Sequence, residues 1–271
     1  MRESVGTARE NATFQYYSGY ETLNVAASDV LTAAEYSWKQ AAVNVVASGL
    51  ETRIQNAGSN AILNLLEARI KNAERTMANN ISTGIYSDGT GSNGKQITGL
   101  QAQIAVAPTT GTVGGINRAT DTFWRNQTSG DVSAIFLSAL TLESEMADMW
   151  IETTRGSDQP DLIVADQVAF KAFWTSLTPY QRFADPNTAV KGFQTLKFVN
   201  ADVVLETGSA IRGSTMYFLN TDYLFWDVHS ATNMAVQDRK EPVNQDAIVV
   251  PLLFAGNLTM SNASLQGVCY T

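Results

Sequence analysis

Residues 48–81 read SGLETRIQNAGSNAILNLLEARIKNAERTMANNI, and the spacing of their apolar members decides the architecture. Leu50, Ile54, Ala57, Ala61, Leu65 and Ala68 fall at steps of three and four, and Ala73, Met77 and Ile81 continue a related stripe. That is the period of a helix burying one face. At 1.5 Å per residue, a helix over 50–81 runs about 45 Å, longer than the helices of ordinary globular domains. Ser48-Gly49 introduces it, and Gly58 inside it costs about 1 kcal/mol relative to Ala, which points to a bend or a close contact.

Upstream, Phe14, Tyr16 and Tyr20 share one parity around Gly19, and residues 36–46 are rich in aromatic and β-branched side chains. The pattern predicts a long hairpin over 13–47, with its turn in the small, polar residues 24–29. Two strands with so little hydrophobic sequence beside them are marginal in water and need an external partner. Phe14, Tyr16, Tyr17, Tyr20, Tyr36 and Trp38 are therefore the candidate subunit-interface residues. Residues 1–12 are polar and read as an extended arm resting on another subunit.

Downstream, residues 87–99 are Gly- and Asn-rich and predict a loop, followed by a strand over 100–106 and a flexible passage over 109–115. A second helix spans about 131–155, with Ile135, Ala139, Leu142, Met146 and Met149 as its buried stripe and Gly156 as its stop. A short strand over 161–165 leads to Asp166, the N-cap of a helix carrying Phe170, Phe173, Trp174 and Leu177. Strands are predicted over 195–206, 215–220 and 247–268, the last broken at Gly256-Asn257. Helices mixed with antiparallel strands, without regular βαβ alternation, place the chain in the α+β class. There is no internal repeat or low-complexity linker.

The 271 residues, 44% of them hydrophobic, suffice to bury a core in one large domain or two joined lobes. No apolar run approaches the roughly 18 residues of a membrane span, and the N-terminus lacks the apolar middle of a secretory signal, which predicts cytosolic synthesis. A net charge of −8 argues against a protein that grips nucleic acid by neutralising phosphates. Charged residues make up 16%, below the typical value of about 25%. A subunit that hides surface against its neighbours can replace charge with small and amide side chains.

None of the residues with chemical potential forms a complete site. Gly89-Thr90-Gly91-Ser92-Asn93-Gly94-Lys95 has the spacing of a phosphate-binding loop, but Gln96 stands where Ser or Thr should hold magnesium, and no apolar strand precedes it. His229, the only histidine, has no partner motif, and one His with the lone Cys269 cannot make a zinc site. Glu143 and Glu145 point to different sides of their helix, so with Asp148 they read as a solvated face rather than a carboxylate pair. Phe170, Phe173, Trp174, Tyr180 and Phe183 are helically spaced with only Lys171 and Arg182 interleaved, which favours packing over base stacking. No residue is assigned to catalysis, a cofactor or a metal.

Several runs in order carry a resemblance: Phe123-Trp124-Arg125-Asn126-Gln127, Pro160-Asp161-Leu162-Ile163-Val164-Ala165, Gly192-Phe193-Gln194, Met216-Tyr217-Phe218-Leu219-Asn220, and Gly256-Asn257-Leu258-Thr259-Met260-Ser261-Asn262 with Gln266-Gly267. With the hairpin and long helix before them, the chain from about residue 13 to 271 resembles the major capsid proteins of tailed bacteriophages, the Hong Kong 97-type fold shared with encapsulins. The resemblance implies an N-terminal arm (1–12), an extended β-hairpin loop reaching over a neighbour (13–47), a peripheral domain (48–130 and 230–271) with a spine helix over 50–81, and an axial domain (131–229). It implies self-assembly into pentamers and hexamers as the icosahedral or prolate head shell around double-stranded DNA. The implied location is the virion, with assembly in the bacterial host cytoplasm.

Two departures from relatives matter. A native start at Met1 would leave no room for a cleaved N-terminal scaffolding segment, so a separate scaffolding protein is expected unless the chain is already processed, together with a portal and a cement protein. The expected hairpin tip has no lysine for an isopeptide weld, and Lys39 lies well down the second strand, which implies a non-covalent shell. Two other readings stand beside this one: an encapsulin-like compartment holding a cargo enzyme, and an enzyme with an unfamiliar carboxylate site.

Overall fold

The computed structural model describes residues 1–6, 13–25, 31–51, 59–130, 139–181, 196–207 and 210–271. The fold is α+β, and the chain divides into two compact units. One comprises Met1–Tyr36, Gln101–Phe225 and Thr259–Thr271; the other comprises Ser37–Leu100 and Trp226–Leu258. Residues 101–130 and 259–271 fall in the unit that holds the middle of the chain.

The reason is the sheet of the first unit. Six strands run in the order β6 (Gln127–Ser129), β14 (Gly267–Tyr270), β10 (Thr215–Leu219), β7 (Leu162–Ala165), β9 (Ala201–Leu205) and β8 (Leu196–Phe198). The C-terminal strand β14 is antiparallel to β10 and parallel to β6, which ties the C-terminal end of the sequence to the middle. Helices α4 (Ala139–Thr153) and α5 (Gln167–Gln181) pack with one face of it, and Met146, Met149, Phe173, Ile163, Met216 and Phe218 are buried together there. Full burial of such side chains contributes about 1.5–3 kcal/mol each. Asp166 caps α5 as its position predicts, its Oδ1 accepting the Ala169 N–H at 2.8 Å. Helix α4 stops at Thr153, and Gly156 follows at φ +63°.

The second unit is built on a long strand, β13 (Ala247–Met260), most of which it contains. Strand β3 (Lys39–Ser48) pairs with it antiparallel over ten residues, from Ala247 opposite Ser48 to Gly256 opposite Lys39. β11 (Leu224–Val228) and β12 (Ala235–Val236) complete that sheet. The long helix α1 spans Ser59–Ile85, and Ala73 and Met77 from its stripe are buried with Val45, Val250, Leu252 and Phe254. Residues 52–58, including Ile54, Ala57 and Gly58 of the expected helix start, lie outside the described residues. Ser48 and Glu51 form a reciprocal cap: the Glu51 N–H reaches Ser48 Oγ and the Ser48 N–H reaches Glu51 Oε2, each at 3.3 Å. Arg69 then holds Glu51 with both guanidinium arms, at 2.8 and 2.9 Å, and also takes the Val46 carbonyl.

Five local expectations are corrected. The strands expected within 13–47 do not pair with one another: β2 (Leu31–Glu35) pairs antiparallel with β1 (Arg2–Gly6), and β3 goes to β13. The arm is thus stitched into its own chain through residues 2–6, where Val5 is buried against Ala34 and Trp124. Within the stretch expected as the first strand, the described loop turns at Ser18–Glu21, because Gly19 supplies the left-handed backbone, at φ +58°; residues 26–29 of the expected hairpin turn lie outside the described residues. The expected strand over 100–106 begins as a helical turn, α3 (Leu100–Gln103), and Ala105 is then held on both its N–H and its carbonyl by the Asn126 amide, which stands in for a strand partner. The expected strand over 195–206 is a hairpin, β8–β9, turning at Val199, whose φ is +54°.

The fifth correction concerns Gly256-Asn257, read as a break and found inside β13. A Cβ on Gly256 would stand 2.8 Å from the Asp227 carbonyl, so the glycine marks the close approach of the β11 backbone. The Gly-rich run 87–99 is irregular apart from the single turn α2 (Gly91–Gly94), in which Ser92 and Asn93 adopt left-handed backbone.

Candidate assembly surface

Apolar side chains of β1 and β2 are covered only in part. Val5 and Ala34 are buried, whereas Leu31, opposite Gly6, is exposed. In the segment beyond, residues 13–25, Tyr16 is 91% exposed, Tyr17 65% and Phe14 70%, and Tyr20, Leu23 and Val25 are also open to solvent. Phe14 and Tyr16 pack edge to face with centroids 5.2 Å apart, which organises the pair without covering it. Gln15 holds the loop in shape: its Nε2 donates to the Thr22 carbonyl and its Oε1 accepts the Asn24 N–H, both at 3.2 Å. At the turn, the Ser18 N–H donates to Glu21 Oε2 at 3.1 Å. Glu21 is the only charged residue in 13–25.

Exposed single apolar residues are normal on a monomer, but a contiguous run of aromatics on a projecting loop marks an interaction surface. Of the six candidates, Phe14, Tyr16, Tyr17 and Tyr20 lie on this loop. Trp38 is half-exposed and leans edge-on against His229 at 5.6 Å. Tyr36 is corrected: its ring is 7% exposed, and its hydroxyl donates to the Met260 carbonyl at 3.1 Å. Burial pushes its phenol far above the ordinary tyrosine range. It is a core residue because the Gly114 backbone closes over it; a Cβ on Gly114 would sit 3.1 Å from the ring.

The residues weighed for chemistry resolve into local roles. His229 accepts the Ala231 N–H on Nδ1 at 3.3 Å and caps a short turn. Cys269 is buried in the core of the first unit, and burial pushes its thiol up. Glu145 accepts a hydrogen bond from Ser129, and Glu143 is half-buried on the same helix. Phe173 is buried, Phe170 is half-buried against the same core, and Trp174 is partly exposed; Phe183 lies outside the described residues. Among the described residues, no group of three His, Cys, Asp or Glu is placed to hold a metal, and no helix is long and apolar enough to cross a membrane.

Asn220, Gln266 and Asn257 of the quoted runs act as buried polar staples, as does Arg118, while the run 192–194 lies outside the described residues. Gln266 and Asn220 exchange two 3.0 Å bonds, side chain to backbone, like one rung of a ladder. Asn257 accepts the Thr98 and Leu258 N–H groups on Oδ1 and donates to the Ser37 carbonyl. Arg118, 1% exposed, donates to the carbonyls of Trp124, Ala102 and Gln103, and desolvation lowers its guanidinium to about 10. The signal that could have found them is an amide set directly after apolar strand residues, as in Phe218-Leu219-Asn220.

No protein-family model matches the sequence, and no curated protein does. Solved structures do match over the whole chain. The capsid of cyanophage A-1(L) aligns at 14% identity and TM-score 0.64, covering 100% of this chain and 87% of the other. The capsid of Myoviridae phage XM1 aligns at 15% identity and TM-score 0.59, covering 100% and 83%. The SrpI encapsulin of Synechococcus elongatus aligns at 9% identity and TM-score 0.53, covering 90% and 76%. With its six-stranded sheet, long helix and projecting loop, the chain has the Hong Kong 97-type fold of tailed-phage major capsid proteins, as the sequence runs implied.

Proposed function

We propose that the chain is the major shell subunit of a tailed-phage head, assembling as pentamers and hexamers around double-stranded DNA and acting without catalysis. The observation that carries this reading is the loop 13–25: a capsid-type fold displays an aromatic run that its own chain does not cover. Burying about 150–250 Å² per aromatic on a neighbour would couple completion of the subunit to assembly. On this reading residues 13–25 belong to the extended loop, α1 is the spine of the peripheral domain, and the six-stranded sheet unit supplies most of the axial domain. Assembly would occur in the host cytoplasm with a scaffolding protein and a portal, and cement protein would supplement a non-covalent shell in the virion. The net charge of −8 suits a wall that does not stick to packed DNA.

An encapsulin-like compartment is the second reading, supported by the match over 90% of the chain to SrpI. The higher TM-scores of the phage capsids favour the first. Electron microscopy of shells purified from infected cells, with nuclease treatment, separates the two. Nuclease-resistant double-stranded DNA inside supports the head; a packaged enzyme without DNA gives the chain to the compartment. A ladder of covalent oligomers on denaturing electrophoresis would overturn the non-covalent shell.

A further inference from the structure

Strand β3 carries a free edge beside a groove. Among the described residues, its backbone ladder runs to β13 alone. A groove of about 590 Å³ lies along its first half, lined by four consecutive residues, Gln40 to Val43. Side chains of a strand alternate between faces, so a surface touched by four residues in a row is the strand's edge. The opposite wall is one stripe of α1: Met77, Asn80, Ile81 and Gly84. The turn at 91–97 closes one end and brings Lys95 to the lining, while Lys39 donates to the Gly94 carbonyl of the same turn. No carboxylate lines the groove, in a chain whose net charge is −8.

We infer that this groove receives an extended peptide of a separate partner polypeptide, alternating apolar and acidic residues, which adds as a strand along β3 and sets its carboxylates at Lys95. Main-chain bonds to a strand edge give affinity, and alternate side chains give the choice of partner. The apolar residues would enter between Ala41, Val43 and Ile81, and the carboxylates would meet the one end of the groove that carries positive charge. The charge favours a partner over a second copy of the chain's own loop, since residues 13–25 offer a single carboxylate, Glu21, already engaged by the Ser18 N–H.

Fluorescence anisotropy on the full chain tests this with two labelled ten-residue peptides, one alternating valine and glutamate, the other valine and lysine. The acidic peptide is expected to bind at least about tenfold more tightly. Lys95→Glu, at an exposed turn, should invert that order. Asn80→Trp, at an exposed helix position on the groove wall, should abolish binding while leaving the thermal melt unchanged. Equal affinities, no binding of the acidic peptide, or binding that survives Asn80→Trp would overturn the inference. Tighter binding of a peptide of residues 13–25 would also overturn it, by assigning the groove to a second copy.

Discussion

Trp124, Phe173 and Phe218 are sealed from solvent, while Phe14, Tyr16 and Tyr20, side chains of the same chemistry, stand in it. The first set lies in or beside a sheet whose ladder and buried amides fix every neighbour. The second lies on a loop whose shape depends on Gln15 and a turn at Gly19. Aromatic burial therefore divides into two parts. One is realised when the chain folds, and the other remains to be realised on contact with another surface. The two should separate when each is removed, because one set is buried within its own chain and the other is exposed.

The largest loss of subunit stability is expected at Trp124. It is fully buried, and its Nε1 donates to the Val113 carbonyl at 3.0 Å. Trp124→Ala should cost about 3–5 kcal/mol, read as a lower midpoint in denaturant with the slope unchanged. A melt indistinguishable from the parent would mean that this aromatic belongs to the same class as the exposed ones.

Alkaline pH probes the buried set as a whole. Burial pushes the Tyr217 phenol up to about 12, from an ordinary value near 10, and raises Tyr36 as well. Folding thus favours the neutral phenol. This contribution is complete below about pH 10 and is lost as pH rises toward 12, by about 2 kcal/mol for Tyr217. Tyrosinate absorbance should show the Tyr36 and Tyr217 phenols ionising only with unfolding. A single titration step at the ordinary value would contradict their burial.

Smaller still is the effect of a buried staple. Gln266→Leu removes both 3.0 Å bonds to Asn220 and leaves its backbone N–H and carbonyl without that partner, which should cost about 1–3 kcal/mol. Hydrogen exchange at Asn220 should accelerate relative to the parent. Unchanged protection there would show that the rung is dispensable.

The periodic elements were legible from the residues because one physical rule governs each. The stripe through Ala73 and Met77 gives α1, the Asp166 cap gives the start of α5, and Gly156 stands just after α4. The α+β class follows from their order. Strand pairing was not legible, since partners are far apart in sequence: β1 with β2 and β3 with β13 depend on which edge each strand reaches. Glycine misled twice for one reason. Gly19 was read as part of a strand but makes a turn, and Gly256 was read as a break but admits a close backbone, and a glycine permits either. At the candidate surface, the aromatic run 14–20 was visible as a run. Tyr36 could not be told from it, because only the fold reveals that Gly114 and Met260 close over that ring.

The least effect on the subunit itself is expected from the loop. Tyr16→Ala with Tyr20→Ala should shift the subunit's melting by less than about 0.5 kcal/mol, since neither ring is covered in its own chain. The same pair should raise the concentration at which large particles form by at least about tenfold, as expected when buried interface anchors are truncated. Sedimentation velocity of the parent and the double variant over a concentration series reads both outcomes at once. The parent is expected to give closed shells or capsomers and the variant slowly sedimenting subunits. A parent chain that stays a single compact monomer at the highest concentration, or a variant that assembles as readily as the parent, would contradict it.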